Sequence, residues 1–312
     1  MAKNKFRTPQ ELLEAYSNGY VGAYCDEESL QALLSKLPEP HFRIAGRHLR
    51  GSGRGQLSMP FRSVYNVSPD KPYLEKQTTG DCVSHGTRNA VDVSRAVQID
   101  VKKMMEDFVT IGATEAIYGC RGHGGEGMSC SEAANFVYKE GGVLLRKNYP
   151  GVIDLSTYDA SIGTGWGRSG VPAKVKELGR LNPVKTLTQI NSIEEARDAL
   201  ANGYGIAVCS NQGFSSERDS KGFAKPQGSW SHCMAWIGCD DTGSEPAFLV
   251  QNSWGKWNDG GHPEWGQIPD GSFLIHADVA ARMISSDSSF AFSSVVGFPP
   301  TKLPDYGFEE YL

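Results

Sequence analysis

The sequence has 312 residues, enough to bury the core of one large domain or of two smaller ones. Hydrophobic residues make up 39% of the chain and charged residues 21%, as in ordinary globular proteins. The net charge of −5 provides no basic field, which argues against nucleic-acid binding and against binding to anionic membranes. No apolar run approaches the ~18 residues of a membrane span, and the N-terminus lacks the apolar segment of a secretory signal. We therefore expect a soluble protein without a signal peptide, either cytoplasmic or part of an assembly that is not exported.

Residues 1–60 are predicted to form a separate N-terminal extension. Two short helices are expected in it, over Pro9–Ser17 and Glu27–Leu37. A glycine- and arginine-rich stretch follows at 47–58. It lacks the strand before it and the helix after it that a phosphate-binding loop requires, so we interpret it as a flexible linker.

Residues 61–180 are predicted to be mostly helical. The stretch 81–98 has small apolar residues at helical spacing, and Asp81 stands where it could cap the helix start. Cys82 then lies in the first turn, where the helix dipole favours a thiolate. Three further features are expected: a helix over Thr110–Tyr118, a glycine-rich loop at 120–128, and a helix from a capping box at Ser129 and Glu132 to Gly141.

Residues 181–312 are predicted to be rich in β-strands. One helix is expected, with Ser192 and Glu195 placed as a capping box, and strand-like runs with glycine-, aspartate- and proline-rich turns follow. Period-two alternation puts His232 on one face of such a run, and Asn252 stands at the end of a later run.

These residues could form a nucleophilic site, in the chain order Cys82, His232 and Asn252. A cysteine nucleophile needs a base that takes its proton, and imidazole has a suitable pKa. The base needs an orienting acceptor, and an asparagine carbonyl provides one without adding charge. Gln77 is available as an oxyanion donor, together with the backbone N–H at the helix start.

With these residues in this order, the sequence resembles the papain-like cysteine peptidases over roughly residues 70–295. The matching motifs are Gln77 with Gly80-Asp81-Cys82, Tyr118-Gly119-Cys120-Arg121-Gly122, Ser231-His232-Cys233-Met234-Ala235-Trp236, and Gln251-Asn252-Ser253-Trp254-Gly255 with Trp257. The last of these is the most specific, because it closely matches the family's Asn-Ser-Trp-Gly element.

The resemblance implies an α+β, two-lobed fold, with a helical left domain at 61–180 and an antiparallel, β-barrel-like right domain at 181–312. It implies a cysteine endopeptidase with Cys82, His232, Asn252 and Gln77 in the cleft, a thioester intermediate, a polypeptide substrate, and neither a cofactor nor a metal. The implied substrate-binding residues are Gly122, Gly124, Gly125, Ser231, Met234, Ala235 and Trp254, the last of which also shields the histidine–asparagine hydrogen bond.

The sequence departs from the family around the nucleophile. Thr-Gly-Asp-Cys82-Val83 replaces the usual Cys-Gly-Ser-Cys-Trp, so Cys120 lacks its usual disulfide partner. Without an export signal we expect the seven cysteines to be mostly reduced. Three of them are interpreted as buried core thiols: Cys209, Cys233 and Cys239.

Three other functions stay open. The first is a weakly active or inactive papain-like scaffold that serves a larger assembly, since fold does not imply function. The second is a zinc-binding protein, because Cys82/His85 and Cys120/His123 are C-x-x-H pairs. The third is a cell-wall amidase. For the peptidase, the extension is predicted to be a propeptide that blocks the cleft, or an attachment arm.

Overall fold

The computed structural model describes residues 5–68, 75–104, 110–244, 246–257, 265, 268–286 and 288–304. Its helices are α1 (Pro9–Ser17), α2 (Glu27–Leu34), α3 (Phe42–Ala45), α4 (Phe61–Val67), α5 (Cys82–Asp100), α6 (Glu115–Gly119), α7 (Cys130–Asn135), α8 (Ala160–Ser169), α9 (Ala173–Gly179), α10 (Ile193–Ala201) and α11 (Ala277–Ile284). A 3-10 turn covers Arg47–Leu49, and a π-helical turn at Phe136–Glu140 continues α7. Within the described ranges, no helix has the length and apolar character needed to cross a bilayer.

Helix α5 is the centre of the helical lobe, and every side chain from Cys82 to Gln98 is buried. It packs against the sheet through small residues. A Cβ on Gly86 would lie only 2.7 Å from the Cys233 sulfur, so glycine permits the close approach. This packing holds the N-terminus of α5 against the strand that carries His232.

The strands are β1 (Ala23–Tyr24), β2 (Leu57–Ser58), β3 (Met128–Ser129), β4 (Asn148–Tyr149), β5 (Ile153–Asp154), β6 (Thr186–Gln189), β7 (Ile206–Arg218), β8 (Ala224–Asp240), β9 (Ala247–Gln251), β10 (Ser272–His276) and β11 (Ser289–Ser293). The main sheet has the order β10-β9-β8-β7-β11-β6, and β2 also pairs with β8. Its long pairings are antiparallel, and β8 lies between β7 and β9. The predicted α+β class is confirmed, although the described strands form an open sheet and not a closed barrel.

Several predicted elements change at their ends. Helix α1 has the predicted bounds, whereas α2 ends at Leu34. Helix α6 begins only at Glu115, because the carboxylate of Asp92 accepts from Gly112 N and holds that segment extended. The Ser129 hydroxyl contacts Ser131 instead of capping α7, so the expected box does not form there.

The extension is part of the core. Leu12, Tyr16, Leu30 and Leu33 are buried in it, and β2 adds a strand to the main sheet. The predicted flexible linker is wrong, because the stretch is anchored by hydrogen bonds from Gly51 N and Gly53 N to the carboxylate of Asp198 at 2.7 and 3.1 Å, from Gly55 N to Asp241, and from β2 to β8. The predicted domain boundaries stay predictions.

One disulfide links the two lobes, between Cys130 at the start of α7 and Cys209 on β7. The expectation of a buried Cys209 thiol is therefore wrong. The separation of 79 residues hides the pairing in the sequence, since only the tertiary fold brings the two sulfurs together. The free cysteines are Cys25, Cys82, Cys120, Cys233 and Cys239.

Candidate active site

Cys82 is the first residue of α5 and is fully buried. As the first helical residue, it has a backbone N–H that finds no acceptor within its own helix. Asp81 occupies the capping position, but its side chain makes no capping hydrogen bond. Its carboxylate instead accepts from the Tyr158 hydroxyl at 2.8 Å and lies 3.3 Å from His85 Nε2.

His232 lies on β8 and Asn252 directly follows β9, so the pairing of these strands brings them together. His232 Nε2 and Asn252 Oδ1 are 2.9 Å apart. The backbone N–H of Ser253 donates to the same oxygen at 2.7 Å, which identifies that atom as the amide oxygen. Nε2 must therefore carry the proton of the neutral ring, and Nδ1 has no hydrogen-bond partner among the described residues.

Trp254 covers this pair from one side. Its ring is buried, with its centroid 5.0 Å from that of His232 and 4.6 Å from that of Trp230. An aromatic wall here excludes water from the His232–Asn252 hydrogen bond and keeps the local dielectric low.

Gln77 is buried and held in one orientation. The Ser253 hydroxyl donates to Oε1 at 2.5 Å, and Nε2 donates to the Thr79 carbonyl at 2.8 Å. A carbonyl can only accept, so this contact identifies the amide nitrogen. The same nitrogen lies 3.5 Å from the Tyr16 hydroxyl.

Tyr16, from α1 of the extension, fills the centre of the site. Its hydroxyl lies beside the Cys82 thiol and 3.5 Å from Gln77 Nε2, and its ring packs edge-on against His232 with centroids 4.7 Å apart. Sequence reasoning missed this residue, because nothing in the pattern of α1 distinguishes its buried face from that of any amphipathic helix.

The residues after α1 cross the cleft between the lobes. Gly22 N donates to the carbonyl of Ser231 at 3.0 Å, and Met128 N donates to the carbonyl of Gly22 at 3.1 Å. A Cβ on Gly22 would lie 2.8 Å from the Cys82 sulfur and still closer to the Tyr16 hydroxyl. The chain can therefore pass over the sulfur only because this residue is glycine.

Burial keeps the site uncharged in this closed arrangement. It raises the pKa of the Cys82 thiol to about 12, although the Tyr16 hydroxyl opposes that shift. It lowers the pKa of His232 to about 4, against the hydrogen bond to Asn252. Thiol and neutral imidazole are thus the stable forms while the extension covers them.

The sequence-predicted substrate residues lie at different depths. Ser231 contacts the segment in the cleft, whereas Met234 and Ala235 are buried within the paired strands β7 and β8. Gly122 has a positive φ and open space beside it, Gly124 lies against Arg168, and the carbonyl of Gly125 accepts from Arg121. The crossing residues pair with main chain on both sides, through Ser231 on β8 and through β3, which follows these glycines and which no sequence pattern predicted.

The two C-x-x-H pairs are separated in the structure. His85 lies beside Asp81, and His123 Nε2 lies 3.1 Å from the Tyr24 hydroxyl. No group of three or more potential metal ligands occurs in the part of the chain that the structure describes.

No protein-family model matches the sequence, and no curated protein matches it. Solved structures do match. Xylellain, a cysteine protease from Xylella fastidiosa, is 15% identical, with 88% of this chain and 91% of that chain covered and a TM-score of 0.49. Procathepsin B S9 from Trypanosoma congolense is 14% identical, with 92% of this chain and 88% of that chain covered and a TM-score of 0.50. Digestive procathepsin L 3 of the Tenebrio molitor larval midgut is 13% identical, with 92% of this chain and 100% of that chain covered and a TM-score of 0.47.

The likeness to the trypanosomal procathepsin B is a likeness of fold, since the identity is low. It agrees with the element order described above, a helical lobe around α5 followed by an antiparallel sheet. The chain therefore has the two-lobed fold of the papain-like cysteine proteases, as its sequence motifs predict.

Proposed function

We propose that this protein is a latent cysteine endopeptidase in which Cys82 is the nucleophile and His232 the base. The observation that carries the proposal is the Tyr16 hydroxyl, which contacts Cys82 and Gln77 while its ring lies on His232. One oxygen atom thus marks a point that a nucleophile and an amide donor both reach, as a substrate carbonyl oxygen would have to.

In the proposed mechanism the extension first leaves the cleft. His232 Nδ1 takes the proton of Cys82, while Asn252 holds the Nε2–H and keeps the ring in the required tautomer. The thiolate attacks the peptide carbonyl, and the oxyanion accepts from Gln77 Nε2 and from the Cys82 N–H. His232 then protonates the leaving amine, and water, deprotonated by His232, releases the acyl group from the thioester.

The extension supports latency, the self-inhibition expected for residues 1–60. Tyr16 and Gly22 stand over the sulfur, so a substrate cannot reach it while they are seated. The uncharged thiol and imidazole of this state are also poor at nucleophilic attack, since the thiolate is the reactive species.

The test uses the full chain with Tyr16→Ala, which removes the hydroxyl and ring from the site. In reducing buffer this protein should hydrolyse an unstructured polypeptide such as casein, and adding Cys82→Ala should lower the rate by roughly 10⁴-fold or more. Cys120→Ala is the matched control, because Cys120 is a free cysteine outside the site, and it should leave the rate unchanged. Hydrolysis that survives Cys82→Ala would refute the proposal.

A scaffold without catalytic activity is the second candidate. The observation that favours it is the covered cleft, in which Cys82 and His232 are buried. The same Tyr16→Ala protein separates the two. A scaffold gives no hydrolysis even when iodoacetamide alkylates Cys82 readily, whereas an endopeptidase gives both.

A further inference from the structure

Two cysteines follow a pair of parallel strands beside the cleft. Strand β1 pairs with β3 in the register Tyr24↔Ser129, and the next residues are Cys25 and Cys130. Neighbouring strands lie about 4.8 Å apart. That spacing falls within the Cα separations of roughly 4.4–6.8 Å that a disulfide bridges. We therefore expect the Cα atoms of Cys25 and Cys130, one residue past the last pair of the ladder, to lie within this range.

Cys130 is already bonded to Cys209, with their Cα atoms 6.6 Å apart. Cys25 is an exposed free thiol, and it lines a cavity of about 50 Å³ together with Cys209 and the short polar residues Ser210, Asn211 and Ser288. A free thiol with access to solvent therefore lies at the edge of a disulfide that is itself buried.

We propose that Cys25 exchanges with this disulfide and thereby latches the extension over the cleft, an inference that rests on the proposed function. The Cys25 thiol loses its proton to solvent, and its thiolate attacks the Cys130 sulfur. The Cys25–Cys130 bond forms, the Cys130–Cys209 bond breaks, and Cys209 leaves as a thiolate that takes up a proton. One disulfide and one thiol are present before and after, so the step needs no oxidant.

The exchange changes what holds the extension in place. Cys25 is three residues beyond Gly22, so a bond from Cys25 to Cys130 fixes the crossing segment to the helical lobe above Cys82. Without the bond, the segment is held only by non-covalent contacts. An external dithiol reverses the latch, since it reduces Cys25–Cys130 to two thiols and is itself oxidised to a disulfide. The latch therefore makes release of the extension sensitive to reductants.

The covalent part of the test uses the full chain with Cys82→Ala, so that no result depends on catalysis. The protein is incubated at pH 8 without reductant, quenched with acid, and blocked with N-ethylmaleimide, and its disulfide-linked peptides are identified by mass spectrometry. A peptide pair joining Cys25 to Cys130, with blocked Cys209, is the expected product. Cys25→Ser should retain only Cys130–Cys209, and Cys120→Ser should behave like the parent.

The functional part uses protein that keeps Cys82. Without reductant, Cys25→Ser should let iodoacetamide alkylate Cys82 at least about tenfold faster than in the parent, because a tether keeps the segment at a high local concentration. Treating the parent with dithiothreitol, then removing it, should raise its rate to that of Cys25→Ser.

The latch is overturned if Cys130–Cys209 stays the only disulfide at pH 8, if Cys25 bonds to another cysteine, or if Cys25→Ser alkylates at the parental rate. These results are independent of hydrolysis. Exchange in a protein that hydrolyses nothing refutes only the endopeptidase, and hydrolysis without exchange refutes only the latch.

Discussion

At the scale of single residues, the amide of Gln77 has the best-defined role to test. The Ser253 hydroxyl and the Thr79 carbonyl fix its orientation, and its nitrogen points to the Tyr16 hydroxyl. In the proposed mechanism the Tyr16 oxygen stands where a substrate oxyanion would be held. The amide would then act in the transition state, which predicts an effect on kcat more than on KM.

Gln77→Ala, made in the Tyr16→Ala protein, should lower kcat by about 10²–10³-fold, the usual cost of losing an oxyanion donor. Ser253→Ala is the matched variant, since it removes only one of the two hydrogen bonds that orient the amide, and it should lower kcat about tenfold. Steady-state kinetics on a peptide substrate measures both. Equal losses in the two variants, or an unchanged kcat in Gln77→Ala, would contradict the assignment.

The pKa of His232 predicts how the closed state responds to pH. It is about 4 when covered, against about 6.5 for a solvated histidine. Between these values the open form binds a proton that the closed form does not, so the closed form loses stability as pH falls from about 6.5 to about 4. Over this pH range the closed form loses about 3 kcal/mol of stability relative to the open form.

Hydrogen exchange at the Gly22 amide, corrected for the intrinsic rate, measures this opening. Its protection should fall by about 100-fold between pH 6.5 and pH 4. His232→Asn removes the titrating ring and should make the protection nearly independent of pH in this window. Protection that rises on acidification would contradict the sign of the effect.

At the scale of elements, the sequence predicted those whose signal is local. Helix α1 has its apolar spacing and its Thr8 cap, and α5 begins at Cys82 as expected. Long-range contacts determine the helix ends that the sequence did not predict. The Asp81 carboxylate accepts from the Tyr158 hydroxyl instead of capping α5, and the Ser129 hydroxyl contacts that of Ser29, 100 residues away in the chain, at 3.1 Å.

The candidate site shows the same division. Motif order and spacing indicated Cys82, His232, Asn252 and Gln77, which lie on four different segments. The position of Tyr16 could not be predicted, because it depends on how α1 docks against a wall built of side chains more than 200 residues later, such as Trp254. Sequence periodicity reports which face of a helix is buried, and it does not report the partner.

The crossing segment leads to a test at this scale. Gly22→Ala adds a methyl group where the Cys82 sulfur and the Tyr16 hydroxyl leave no room, so the segment should be displaced. We expect iodoacetamide to alkylate Cys82 at least about tenfold faster, since overpacking costs about 1–3 kcal/mol. Gly165→Ala is the control, because a Cβ there meets no atom within 4 Å. Equal rates in the two variants would show that the segment does not guard the sulfur.

At the scale of the whole molecule, the lobes are held together by non-covalent packing and by a disulfide. Helix α5 packs directly on β8, and the Cys130–Cys209 disulfide joins α7 to β7. Cys209 is paired in register with Cys233, the neighbour of His232, so the covalent link lies close to the strand position that carries the proposed base. The disulfide therefore fixes the relative position of the two cleft walls. It also reduces the conformational freedom of the unfolded chain.

The disulfide closes a loop of 79 residues, and removing it should lower the free energy of unfolding by about 4 kcal/mol. The protein to compare is Cys130→Ser with Cys209→Ser, because replacing both cysteines leaves no unpaired partner thiol at the site. Cys120→Ser is the control, since it removes a free thiol and keeps the disulfide. Urea unfolding without reductant should show a lower midpoint for the double variant and a parental midpoint for Cys120→Ser. If dithiothreitol shifts the parent to the midpoint of the double variant and leaves the double variant unmoved, the loss belongs to the bond. A double variant as stable as the parent would mean that the packing of α5 on β8 alone holds the lobes together.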